Sequence, residues 1–198
     1  RSTVGTQTYT APAITVANDL TTTNDNILFN NAFSLTGASI MSTGVGIGNI
    51  TYSGTVNGGQ NLIASAGTGD VVALADIGGV TPLTSFTATG TNIDGLAITT
   101  TGNQTYTGAT TFTGAMTTNT AGDIDVTGAL TAGSTISADT TGNIAVSGAL
   151  NAANTVTSGS GDITVGGLTT MNNTFSTTGG NIGLTGGIAL NVTPLLVS

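Results

Sequence analysis

Residues 122–165 read GDIDVTGALTAGSTISADTTGNIAVSGALNAANTVTSGSGDITV. Gly-(Asp/Asn)-Ile occurs three times in this stretch, at Gly122-Asp123-Ile124, Gly142-Asn143-Ile144 and Gly161-Asp162-Ile163, and Gly180-Asn181-Ile182 follows. The copies are 20, 19 and 19 residues apart. Two positions after each Ile an apolar residue returns: Val126, Val146, Val165 and Leu184. Another returns twelve positions on in the first three copies, at Ile136, Val156 and Phe175. The slot at plus six holds Leu130, Leu150 and Ile188, with the third copy expected to slip by one to Leu168. Self-similarity at a fixed period of this size is the mark of a repeat architecture.

The template extends toward the N-terminus. Counted from Gln104 it gives Tyr106 and Met116; from Val71, Ala73, Ile77 and Leu83; from Ile50, Tyr52, Val56 and Leu62. Glycine stands at plus four in Gly54, Gly108, Gly128, Gly148, Gly167 and Gly186. Less regular copies start at Ile27, with Phe29, Phe33 and Ile40, and at Phe86, with Ala88 and Ile98. A longer echo repeats the Gln-Thr-Tyr of Gln7–Tyr9 at Gln104 to Tyr106, 97 positions later, and places both in the same slots. Residues 1–198 therefore read as one repeat domain of about ten units. Coils 48–83 and 102–193 are regular, and coils 1–47 and 84–101 less so.

Within a unit, Ile124, Val126, Gly128 and Leu130 point one way and Asp123, Asp125 and Thr127 the other, the period-two pattern of a strand. Gly, Asn, Asp and Ser break the runs and suit sharp corners. No segment keeps a helical apolar stripe for three turns. A unit of 19–21 residues is too short for a propeller blade, and a β-sandwich has no need of equal slots at that interval. The length matches one coil of an all-β parallel solenoid, or β-helix. Its inward ladders are then Ile124, Ile144, Ile163 and Ile182; Val126, Val146, Val165 and Leu184; and Ile136, Val156 and Phe175. Glycine at plus four marks a bend without room for a side chain. Ten coils make a rod about 45–50 Å long.

Composition removes most chemistry. The nine acids are all Asp, Arg1 is the one cation, and Lys, His, Cys, Glu and Trp are absent, for a net charge of −8. There is no imidazole, thiolate, or lysine for a Schiff base or a phosphate. An anionic surface repels nucleic acid. No run of about 18 apolar residues exists to insert in a membrane. Apolar residues still make up 38%, so the chain can fold.

The phrases GNITYSGTVNGGQNLIASAGTGDV, TPLTSFTATG, TTTGNQTYTGATTFTGA and TGNIAVSGALNAANTVTSGSGDITV resemble the repeat regions of bacterial surface exoproteins of the filamentous haemagglutinin type and of related large β-strand-repeat adhesins. The resemblance covers almost the whole chain. It implies a right-handed parallel β-helix, export to the cell surface, and a role in adhesion, biofilm or fibre formation. The family's N-terminal secretion domain has no recognisable counterpart here.

The candidate site is a turn ladder of Asn49, Asp70, Asn103, Asp123, Asn143, Asp162 and Asn181, just before the Ile slot. From position 103 Asn and Asp alternate, which keeps like charges from lying one strand spacing apart. Calcium solenoids repeat every nine residues, so the ladder reads as structural, with no metal and no cofactor; Asp123 and Asp125 are the residues of a calcium alternative. Those two carboxylates, about 7 Å apart on one strand face, are the only pair for acid–base work on a neutral sugar. Without a cation to hold an acidic substrate, the expectation is no enzyme. Ice binding needs threonines in register. Thr99 to Thr101, Thr110 and Thr111, Thr117 and Thr118, and Thr177 and Thr178 share no slot on this template, so they read as ordinary solvent-facing residues.

Both ends read as open. Pro194 is expected to end a strand and to leave Leu195, Leu196 and Val197 exposed. The expected partners are then a second copy stacked end to end into a filament, or flanking repeats of a longer chain. The function expected is an extracellular or cell-surface structural segment, with a glycan- or calcium-binding adhesion module using the outer Thr/Asn/Asp face as the alternative.

Overall fold

Strands of two to five residues recur along the chain, mostly of three, with the side chains in, out and in, because each coil alternates apolar and polar residues only briefly before a corner. The computed structural model describes residues 1–191 and 196–197. Among these there is no helix, and the parallel strands stack into a β-solenoid of about nine turns.

Each turn visits three faces in a fixed order. The first face begins with Gln7–Tyr9, the second with Ile14–Val16 and the third with Leu20–Thr21. On the first face Gln7, Ile27, Ile50, Val71, Ile93, Thr110, Leu130, Leu150, Thr169 and Ile188 lie one above another. The second carries Phe33, Val56, Ile77, Ile98, Met116, Ile136, Val156 and Phe175. On the third, Leu62, Phe86, Gln104, Ile124, Ile144, Ile163 and Ile182 form one column, and Ala64, Ala88, Tyr106, Val126, Val146, Val165 and Leu184 its neighbour. The three inward ladders read from residues 122–184 are thus columns of the structure.

The earlier copies require correction. Ile50 and Val71 stand on the first face with Leu130, and not beneath Ile124. Val56 and Ile77, placed at plus six, share the column of Met116 and Ile136, while Leu62, placed at plus twelve, shares that of Ile124. The cause is uneven turn length: on the first face the steps from Ile27 to Thr110 are 23, 21, 22 and 17 residues. A fixed interval cannot follow them. The echoed Gln7 and Gln104 accordingly lie on different faces. Their local contacts nevertheless agree. Each Gln Oε1 accepts the hydroxyl of the Tyr two residues on, at 2.5 Å from Tyr9 and 2.9 Å from Tyr106, and burial raises the pKa of both phenols, keeping them donors.

Two single slots also differ. Ile40 faces outward, 42% exposed, between inward Ser39 and Met41. Thr169, and not Leu168, occupies the slot between Leu150 and Ile188; Leu168 is half exposed, and the Thr169 hydroxyl is buried without a partner. The expected ends at Pro194 and Leu195, and the side chain of Leu196, lie outside the described residues.

One core runs through the turns from Val16 to Phe175. Its lower part is aromatic, with Phe29 stacked on Tyr9 at 4.6 Å and on Phe33 at 4.1 Å; Phe86, Tyr106 and Phe112 form a second group. Above them aliphatic side chains fill the cross-section. Each fully buried Ile or Val contributes about 1.5–3 kcal/mol.

The corners are held close by glycine. Gly102, Gly122, Gly142, Gly161 and Gly180 stack before the third face, and a Cβ on Gly142 would lie 2.1 Å from the carbonyl oxygen of Gly122. Gly142→Ala is therefore expected to destabilise by about 1–3 kcal/mol in urea melts. Gly59→Ala, whose Cβ meets nothing within 4 Å, should cost little. Equal losses would contradict close stacking at that corner.

Candidate functional site

The seven residues read as one ladder divide between two corners. Asn49 and Asp70 precede the first face and join Asn26 and Asn92 there. Asn103, Asp123, Asn143, Asp162 and Asn181 precede the third face. The geometry is the same in both. Each Oδ1 accepts the backbone N–H of the ladder residue one turn on: Asn26 from Asn49 at 2.8 Å, Asn49 from Asp70 at 2.9 Å, Asn103 from Asp123 at 3.1 Å, Asn143 from Asp162 at 2.8 Å. Where the acceptor is Asp, the following Asn also donates its Nδ2. Asn92 does so to Asp70 at 2.9 Å, Asn143 to Asp123 at 3.1 Å and Asn181 to Asp162 at 3.2 Å.

Alternation thus has a second cause beyond charge separation: only an amide can accept on one side and donate on the other. A buried hydroxyl locks the same corner from inside. Thr43 donates to the carbonyl of Gly48 at 2.7 Å, Thr118 to Gly122 at 2.8 Å and Ser158 to Gly161 at 2.7 Å. Thr/Ser, Gly, Asn/Asp and Ile form one corner device, used before the first face in the lower turns and before the third face in the upper ones. Asn26 and Asn92 escaped the sequence template because Asp25 and Thr91 replace the usual glycine, although the Asn-Ile pair was legible.

Asp123 lies in the corner and Asp125 on the outer side of the third face, in a row with Thr105, Ala145, Thr164 and Gly183. These small side chains floor a shallow trough of about 640 Å³ along the axis, with Ser147 and Thr185 on its margin. Burial, and secondarily the nearby Asp123 charge, raises the pKa of the Asp125 carboxyl above its ordinary value. No cluster of three or more acidic side chains suited to a metal occurs among the described residues. Tyr52, Tyr106, Phe112 and Phe175 are buried, and Tyr9 is partly so.

The threonines are in register after all. Thr99 pairs with Thr117, and Thr100 stands in one inward column with Thr118, Ala138, Ser158 and Thr177. The 18-residue step from Thr99 to Thr117 conceals this from a template of 20.

No family model, curated protein or solved structure matches the chain.

Asn143→Asp would set three carboxylates on consecutive turns and remove the amide donor. It is expected to lower stability by about 1 kcal/mol, with partial recovery in high salt as repulsion is screened. A salt-independent loss would argue against the charge component. Asp125→Asn should raise the melting temperature at neutral pH, because the ionised carboxyl is disfavoured by burial. Since the folded pKa is the raised one, that gain should fade as pH falls and vanish below the unfolded value of about 3.9.

Proposed function

We propose that the chain is a rigid β-solenoid segment of an extracellular bacterial surface fibre, sheath or adhesin, whose work is mechanical and spatial and not catalytic. The observation carrying this reading is the unbroken core. Its inward columns continue through every turn from Ile27 to Phe175, mostly at 0–2% exposure, and backbone hydrogen bonds join each turn to the next. Nine steps at the strand spacing give a rod about 43 Å long. Support also comes from composition, since a body without cation, imidazole or thiol offers rigidity and surface but little reactivity. Ile188 and Leu190, on the last turn of the first face, are 46% and 60% exposed. A further coil, from the same chain or a second copy, would cover them, and head-to-tail contact of this kind does not close.

The trough on the third face favours a second reading, a neutral glycan chain lying along the axis beside Asp125, with calcium at Asp123 and Asp125 as its metal-dependent form.

Electron micrographs and sedimentation of the purified protein separate the two. The structural reading expects thin rods that lengthen with concentration and ignore EDTA. A monomer that binds a neutral oligosaccharide saturably, or is altered by EDTA, would replace it with the binding module.

A further inference from the structure

The second face differs from the other two in its outer surface. At its strand centres Thr99, Thr117, Ser137, Thr157 and Ser176 form one straight row, paired turn by turn. Two residues earlier, on the same side of each strand, runs a second row: Ala97, Ala115, Thr135, Thr155 and Thr174. The register of this second row is fixed by the backbone. Ile98 donates to Ala115, Met116 to Thr135, Ile136 to Thr155 and Val156 to Thr174, at 2.8–3.0 Å. Three consecutive turns therefore carry hydroxyl pairs: Thr135 with Ser137, Thr155 with Thr157, and Thr174 with Ser176.

These hydroxyls are uncommitted, making no hydrogen bond to another described residue. Outward threonines elsewhere behave otherwise: Thr84, Thr91 and Thr178 each donate to a carbonyl of an adjacent turn, at 2.8–2.9 Å. Neither row contains a charged or aromatic side chain in a protein of net charge −8. The first and third faces, by contrast, carry Asp94 and Asp125 at outward strand positions. Threonine is stiff at χ1, so a row of them holds methyl and hydroxyl in a common orientation. The result is a rigid two-dimensional net, with points about 4.8 Å apart between turns and about 6.6 Å apart along a strand.

We propose that this face binds the surface of ice. Water oxygens in the surface planes of ice repeat in two directions at distances of this size. Free hydroxyls in register can join such a layer, the methyls between them favour ordered water, and a rigid backbone loses little entropy on docking. Absence of charge matters equally, because an ionic side chain organises water radially and breaks the net. A crystalline neutral polysaccharide is the competing occupant. It is disfavoured by the lack of an aromatic platform for a sugar ring to stack on.

The test is the shape of ice crystals and the gap between melting and freezing points in solutions of the full chain. The wild-type protein should facet the crystals and open a gap. Thr155→Lys should abolish both, and Thr157→Val, uncharged and isosteric, should weaken them with an unchanged melting temperature of the protein. Thr131→Lys, outward on the first face, should retain them. A wild-type protein no more active than serum albumin would overturn the proposal, as would equal loss in Thr131→Lys. Sedimentation with microcrystalline cellulose or chitin, without any effect on ice, would assign the face to polysaccharide instead.

Discussion

Parallel backbone pairing between successive turns is the constraint from which the rest of this molecule follows. Because each strand bonds to the one a turn earlier, equivalent side chains are forced into columns about 4.8 Å apart. Whatever occupies a slot must tolerate its like directly above and below. Isoleucine and valine do so inside the core, and glycine does so where one corner presses on the next. Two adjacent carboxylates do not, and in both ladders no two Asp residues are neighbours.

Corners are the costly part of such a fold, since the chain must turn sharply without leaving N–H and C=O groups unpaired. Here one device solves the problem repeatedly. An inward hydroxyl takes the carbonyl before the turn, glycine lets the backbones approach, and an Asn or Asp side chain takes the N–H of the following turn. The device is local, which allows it to sit at either of two corners. The transfer from one to the other occurs around residues 85–112, where two long strands, Ser85–Gly95 and Gln104–Phe112, run continuously past a corner. Gly90 and Thr91 there stand against the single Gly108, a bulge that absorbs the change of phase.

With stacking and corners fixed, the outer side chains are the one variable left to function. The third face is a shallow trough of small residues with a single half-buried carboxylate. The second is a charge-free double row of hydroxyls and methyls. Neither arrangement holds groups that could form or break a bond, and both present surface to something extended. That is the same conclusion the composition gives from the opposite direction, since Asp, Thr, Ser and Asn remain the only outward chemistry available.

The sequence by itself determined the all-β solenoid, the identity of the inward residues from Ile124 onward, the glycine corners and the Asn/Asp alternation. All of these follow from short-range pattern: alternation sets which side chains turn inward, and equal intervals set which stack. Only the tertiary structure decided the face on which each copy lies, because turns of 17 to 23 residues shift the phase while leaving the local motif intact. For that reason Asn49 and Asp70 parted from Asn103 and its successors, Thr169 displaced Leu168, and Gln7 parted from Gln104. The threonine net was hidden for the same cause, since register across turns is a property of accumulated loop length, and no local stretch of sequence records that sum.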